Sequence, residues 1–376
     1  MNVIIHKQID SLYKVLPNWK TLKEEFLEVT IFQEKNWLKN WWDYNSKKKK
    51  ITPYVIEIKE RDETVGIIPL YLSIIEWAKF KVRVLKPMGS ETSDYLIPIL
   101  SKRFPPNLLL SLAFKEIYED KLSWDLIEWK DAPEASPFDI FLKNRQLANS
   151  ALIRRGRSAV CPMLFLNGDI EEVKSKFSQT FFKGILRKER KLKKEGELEY
   201  FKVVSVKEIE PIMANLFELH CNRWGNTDTP SEFRHKEMRE HTLRVAKNLY
   251  KSNLLHLSYL KHKNEIIAAH YGMSDGKRIY WYIPTMNINF KKYSPTHILI
   301  YHLITRGYKE GIEVVDFLRG DEDYKKKWGT IDKSNIKYLI FNRSMKSIAL
   351  RNFYDIANSS QVKPVAKRFL AKVVKQ

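Results

Sequence analysis

Cysteine is almost missing from this chain: Cys161 and Cys221 are its two thiols in 376 residues. Two thiols build neither a zinc cluster nor a disulfide framework, and the nine histidines show no HExxH or other ligand spacing, so no metal and no disulfide scaffold is expected. No stretch reaches the roughly 18 uninterrupted apolar residues of a membrane helix. The opening MNVIIHKQIDSLYK lacks the continuous apolar core of a signal peptide, and the expected location is the cytoplasm. Tracts rich in Gly/Ser/Pro or Gln/Asn are also missing, which excludes a low-complexity chain. Acid is in deficit: 45 Asp and Glu stand against 66 Lys and Arg, a formal charge of +21. Such a field favours anionic partners, whether nucleic acid, acidic lipid or a phosphate-rich cofactor.

What is present reads as folded protein. Hydrophobic residues make up 44% and aromatics 12%, enough for two domains with cores of their own. The apolar period switches along the chain between about 2 and about 3.6 residues, the pattern of mixed α/β sequence. IFQEKNWLKNWWDYN places Phe32, Trp37, Trp41 and Trp42 near one helix face, as core. PYVIEIKERDETVGIIPLYLSI reads as two strands around the polar turn Arg61-Asp62-Glu63. Strand KVRVLKPMG, helix LLLSLAFKEIY and strand WDLIEW follow.

The same order returns two hundred residues on. LLHLSYLKHKNEIIAAHYGMS is again strand, charged turn and strand, and 56–73 lies on 257–274 without a gap. Strand RIYWYIP, helix SPTHILIYHLITRGYKEG and strand EVVDFLR complete the second set. The chain therefore reads as a degenerate duplication of one α/β unit. The expected division is an N-terminal domain over 1–150, a second over 151–345 and a basic helical tail over 346–376. An amphipathic basic helix is expected over 170–194, stopped by Gly196. Lys183, Arg187, Lys188, Arg190, Lys191, Lys193 and Lys194 crowd its second half, either as a solvated face or as an anion-binding one.

Ser294 is an N-cap type and Pro295 suits the first helical position, so a helix should start there and stop at Gly311. Lys291 and Lys292 precede it, and a helix N-terminus with free N–H groups and flanking lysines suits a phosphate. Further on, DFLRGDEDYKKKW packs three acids against three lysines just past a strand end. If a helix begins at Asp321, then Asp321–Lys325, Glu322–Lys326 and Asp323–Lys327 are favourable i,i+4 pairs.

AAHYGM on a strand, YSPTHIL opening a helix and DFLRGDEDYKKKW closing the next strand together resemble GNAT-type acetyltransferases of the branch associated with cellulose and other polysaccharide biosynthesis. ELHCNRW with Trp224, PMGSETSDYLIPIL and WDLIEWKDAPEASP are similar to the same branch, and the resemblance spans roughly 30–335. Like the related FemAB-type peptidyltransferases, that branch carries two GNAT-like units. The resemblance implies an α/β (α+β) fold of tandem GNAT-like units, each a mostly antiparallel sheet flanked by helices. The second unit would be catalytic and the first degenerate. It implies acyl transfer from acetyl-CoA or another acyl-CoA, as co-substrate, to an amine or hydroxyl. The family's glycine after Ser-Pro is replaced by Thr296-His297, where a side chain restricts phosphate approach although Thr296 offers a hydroxyl.

Such chemistry requires an anion cradle, an oxyanion donor, a base and an acid. On this reading Lys291, Lys292, Tyr293, Ser294, Thr296 and His297 form the cradle. His270, inside an otherwise apolar strand and aligned with Pro69 of the first copy, is the expected base. Asp321 and Glu322, past a strand end facing the cleft, orient the base or hold an amine. Tyr282 and Tyr324 are candidate acids. Arg319, Lys325 and Trp328 are assigned to the substrate. A small molecule or glycan is the expected acceptor: a sugar amine, a polysaccharide hydroxyl, a small amine or a lipid-linked intermediate. Two rivals stay open. One is an aminoacyl-tRNA-dependent transferase, for which the expected long helical-hairpin insertion is missing. The other is a non-catalytic nucleic-acid or membrane-surface protein. The tail VKPVAKRFLAKVVKQ, with Val365, Phe369 and Val373 near one face of a basic helix, suits peripheral attachment at the inner membrane face. Nucleic acid is the less favoured partner, because no helix-turn-helix, zinc module or RNA-reading aromatic motif occurs.

Overall fold

The computed structural model describes residues 1–77, 80–148 and 152–358. The chain forms two compact units, Met1–Ser158 with Ser334–Gln376, and Ala159–Lys333.

In the first unit, β1 (Asn2–His6) leads through helices α1 (Ile9–Val15), α2 (Trp19–Glu25) and α3 (Lys35–Lys48) to β2 (Ile51–Glu60), β3 (Glu63–Trp77) and β4 (Phe80–Pro87). A short β5 (Ile99–Leu100), helix α4 (Pro106–Glu119), β6 (Leu126–Pro133) and helix α5 (Pro137–Ala148) follow. The strands β1 to β4 pair antiparallel in sequence, and β6 joins β4 in parallel at Val84–Leu126 and Leu85–Ile127. Leu109, Ala113 and Phe114 of α4 pack with Leu70, Leu85, Ile127 and Trp129 of the sheet into one buried cluster. In α3, Trp37, Trp41 and Trp42 are buried. Buried indoles need partners for their N–H groups, and those of Trp37 and Trp41 donate to Ser93 Oγ at 2.8 Å and Ser90 O at 3.1 Å.

The second unit takes up the later part of β7 (Ile153–Phe165), helices α6 (Ile170–Ser175) and α7 (Gln179–Glu195), β8 (Leu198–Lys202), and helices α8 (Val206–Trp224) and α9 (Lys236–Lys251). Then come β9 (Leu255–His262), β10 (Glu265–Ser274), β11 (Arg278–Met286), α10 (Pro295–Lys309), β12 (Val314–Asp316) and the short α11 (Asp323–Lys326). Its strands lie in the order β7-β12-β11-β10-β9-β8. All neighbours are antiparallel except β11 and β12, which run parallel.

Each unit thus contains a hairpin, a third antiparallel strand, a helix and a parallel strand. The hairpins match in detail. Glu60 faces Glu63 across Arg61-Asp62, and His262 faces Glu265 across Lys263-Asn264. Arg61 and Lys263 both take φ +54, as two-residue turns between right-twisted strands require. The turn is two residues long, shorter by one than its charge pattern indicated.

Two other expectations change. The basic helix breaks at 176–178 into α6 and α7, where the Ser178 amide leaves the helix ladder to donate to Lys327 O at 2.9 Å. The second domain does not run to 345: β13 (Ile331–Phe341) pairs antiparallel with β6, so residues from 334 on return to the first unit. The first boundary falls inside β7, after Ser158. Helix α12 (Met345–Asn358) opens the expected tail, and Val365, Phe369 and Val373 lie outside the described residues. No helix among those described is long and apolar enough to cross a membrane.

Candidate active site

In the second unit β11 pairs with β12 at Arg278, Ile279 and Tyr280 alone. Beyond Tyr280 the two strands part. Leu318 has φ +57 and Gly320 φ +117, and the chain turns toward β7, with the Phe317 amide donating to Pro162 O and the Gly320 amide to Val160 O. On its other edge β11 carries a bulge: Tyr271 faces Ile283 but Met273 faces Tyr280, so Trp281 and Tyr282 share one opposing residue, Gly272. A bulge re-aims backbone groups and often marks a site. Gly272 is required here, since a Cβ would overlap the His270 ring and the Tyr280 carbonyl.

His270 anchors that bulge. Its ring is fully buried, stacks on Trp281 at 4.1 Å, and accepts the Tyr282 amide hydrogen on Nε2 at 3.2 Å. Burial, and then His256, hold its pKa well below the ordinary histidine value. A base has to reach the proton it removes, and this ring presents no surface to an acceptor, so the geometry does not fit the base expected at this position. Among the described residues no hydrogen bond joins His270 to Asp321 or Glu322, which are both exposed.

The acidic loop also differs from its charge pattern. Helix α11 begins at Asp323, and the ion pair that forms is Glu322–Lys325, i,i+3, at 2.9 Å. Lys325 is 3% exposed and its ammonium turns back to the carbonyls of Arg319 at 2.9 Å, Gly320 at 3.2 Å and Leu318 at 3.4 Å. With its donors spent, it clamps the loop and is not free for a substrate anion. Trp328 is likewise core, fully buried and edge-on to Phe177 and Phe181 at 5.1 and 5.2 Å, which corrects its assignment to substrate. Arg319 and Tyr282 are half-buried, and Tyr282 packs edge-on to Tyr271 at 6.0 Å.

At the start of α10, Ser294 adopts the left-handed conformation (φ +52) and makes no cap hydrogen bond to the helix. Its hydroxyl instead accepts from Lys188 Nζ at 2.8 Å. Thr296 directs its hydroxyl to Met286 Sδ at 3.9 Å. Tyr293 is buried and donates to Glu195 at 2.5 Å. Lys291 and Lys292 are exposed, with Lys292 over the Tyr293 ring at 4.8 Å. His297 lies between the Phe181 and Tyr324 rings, at 5.1 and 5.6 Å. Burial first, then Lys188, Lys327 and Arg223, bring its pKa down to about 4. Four segments thus gather three cations around one helix entrance, with a neutral imidazole among them. Tyr324 is pushed up to about 12 by burial and the Glu322 charge, against the Trp281 indole and Arg223, so its phenol holds its proton at neutral pH.

In the sequence Lys188 is one of seven basic residues on its helix, Lys327 reads as the i,i+4 partner of Asp323, and nothing marks Arg223. Their signal is nonlocal: they come from α8 and from the turn after α11, and only the fold brings them to α10. Arg223 stands in ELHCNRW and Lys327 in DFLRGDEDYKKKW, both segments singled out for other residues.

Residues 179–326 match the family model of the acetyltransferase (GNAT) domain. Among solved structures, that of FemX aligns with 96% of this chain and 100% of its own at a TM-score of 0.60 and 12% identity. A conserved protein of unknown function from Bacteroides thetaiotaomicron aligns over 82% of this chain and 90% of its own, at 0.52 and 9%. No curated protein matches the sequence. The chain has a double GNAT-like, FemAB-related fold with the GNAT acetyltransferase domain in its second unit. It is an acyltransferase.

Proposed function

We propose that the protein transfers an acyl group, acetyl in the simplest case, from acyl-CoA to the amine or hydroxyl of an amino sugar or another cell-envelope polysaccharide precursor. The observation that carries the donor assignment lies at the entrance of α10, where Lys188 reaches Ser294 at 2.8 Å and Lys327 lies over the Phe181 ring at 5.7 Å, beside His297, whose proton the Arg223 charge also disfavours. A helix dipole and three cations suit a pyrophosphate, and a His297 ring held neutral by burial and by those cations fits a cradle built for negative charge. Acyl-CoA would supply a thioester carbonyl and a thiolate leaving group.

This chain's own residues would do the rest. The three cations and Ser294 bind and orient the phosphates. β11 beyond Tyr280, left without β12 on one edge, offers backbone N–H groups to a developing oxyanion. Tyr324 keeps its proton at Oη and is the acid for a departing thiolate, with Tyr282 as the other candidate. Asp321 and Glu322, exposed past the strand end, receive the acceptor and its proton. His270 acts through the bulge as a positioning residue. Arg319 remains the candidate for an anionic group on the acceptor.

The test pairs binding with turnover. Coenzyme A should raise the melting temperature and Lys188→Gln/Arg223→Gln should abolish that rise; acetyl-CoA with an amino-sugar panel should release free thiol. No melting shift at millimolar CoA in the unaltered protein would sink the donor assignment. A tRNA-borne donor is the second reading, favoured by the exposed Lys183, Arg187, Arg190 and Lys191 along α7; aminoacyl transfer with no response to CoA would establish it.

A further inference from the structure

The first unit holds a pocket of about 600 Å³ at the C-terminal end of α4, in the size range of small-molecule sites. Lys121, Arg145 and Arg343 all line it. No carboxylate among the described residues pairs with any of the three side chains. Elsewhere in this unit Arg83, Arg103, Arg154 and Arg155 reach Asp125, Glu63, Asp355 and Asp139.

One of the three cations is also held in place. The Arg145 guanidinium lies over the rings of Phe141, Phe114 and Tyr118 at 5.0, 5.7 and 6.0 Å, which fixes the plane of its fork. Arg145 and Arg343 both act electrostatically on the Tyr118 phenol, so they face one space. Asn342, buried beneath, donates to the Lys121 and Trp124 carbonyls and fixes the rim. Leu152 and Ile153 supply an apolar wall.

We propose that this pocket binds an organic phosphate. Its phosphate or pyrophosphate lies between Lys121, Arg145 and Arg343, and its planar or apolar remainder packs on Tyr118, Leu152 and Ile153. Three uncompensated positive charges exceed what one carboxylate neutralises, and two guanidinium forks match phosphate oxygens pairwise. A soluble nucleotide and a lipid phosphate share this chemistry.

Calorimetric titration of the full chain carrying Lys188→Gln/Arg223→Gln, which weakens the anion site of the second unit, isolates this pocket. Failure of the acyl-CoA assignment then leaves the measurement unaffected. Inorganic pyrophosphate and a nucleoside diphosphate are the soluble probes. Vesicles of phosphatidylcholine with phosphatidic acid, against phosphatidylcholine alone, are the lipid probe. Binding of either kind should fall about tenfold or more in Arg343→Gln and in Lys121→Gln. These two side chains are exposed and stack on no ring, so both variants should melt with their parent. Arg145→Gln serves as a third variant. Affinity unchanged in Arg343→Gln and Lys121→Gln, or no binding of any probe, overturns the proposal.

Discussion

Replacing Lys325 by methionine separates two roles for a lysine in the acidic loop. Its ammonium is buried, with three carbonyl acceptors and Glu322 Oε2 all within 3.4 Å. A hydrogen bond from a charged group contributes about 1.5–3 kcal/mol, and a buried acceptor left without its donor costs about 1–3 kcal/mol. Methionine keeps the stem's apolar contacts but leaves three carbonyls unpaired, while the exposed Glu322 carboxylate returns to water, so the loss should be about 3 kcal/mol. For a domain of this size 1 kcal/mol shifts the midpoint by about 2–4 °C, so the second unit should melt roughly 6–12 °C lower. The same carbonyls belong to the turn at Leu318 and Gly320, and acyl transfer should fall through kcat as that turn loosens. The assay is differential scanning calorimetry beside steady-state kinetics. An unchanged midpoint with a raised KM for the acceptor would return Lys325 to substrate binding and refute the clamp.

Gly272→Ala forces a methyl into the His270 ring and the Tyr280 carbonyl. It should cost more than about 1 kcal/mol in urea unfolding and lower turnover with it; an undisturbed variant would mean that the bulge adapts. Asp321→Asn should leave the melting curve in place and reduce acyl transfer at least about tenfold, whereas full activity removes Asp321 from the site. Acid should destabilise the protein through its buried histidines. Burial holds His256 and His297 near 4, with added cation repulsion at each. A folded pKa below the unfolded value favours the neutral ring, so the stabilisation is complete above about pH 6.5 and is lost as pH falls toward 4. Urea midpoints that stay level between pH 7 and pH 4 would contradict that assignment.

Local signals were legible in the sequence where their physics is local. The two hairpins, the α10 start at Pro295 and the buried face of α3 follow from alternation, turn residues and helical spacing, each set within a dozen positions. The role of Lys325 is hidden in the sequence for a related reason. The i,i+4 rule recognises side-chain partners, but its acceptors here are backbone carbonyls, which every residue carries and no sequence displays. His270 shows the same limit: a histidine in an apolar strand signals burial or chemistry equally, and the bulge that settles it depends on the register of two strands. The cation cluster escaped notice because positions 188, 223 and 327 have no spacing in common.

His270 and Lys325 brace one place in the fold. The imidazole expected to take a proton anchors the β11 bulge through Tyr282, and the ammonium expected to bind substrate anchors the exit from β12 through three carbonyls. The first lies on β10, beside β11, and the second on α11, just past β12, so they flank the two strands that part after Tyr280. Keeping two strands apart is costly, because each forgoes ladder hydrogen bonds that would otherwise form. A buried side chain that satisfies the released backbone groups on either edge lowers that cost, leaving the separation stable before any ligand arrives. The unusual residues next to a strand opening therefore serve it first as scaffold, and on the proposed function the chemistry is left to more accessible neighbours, Tyr324 and Asp321.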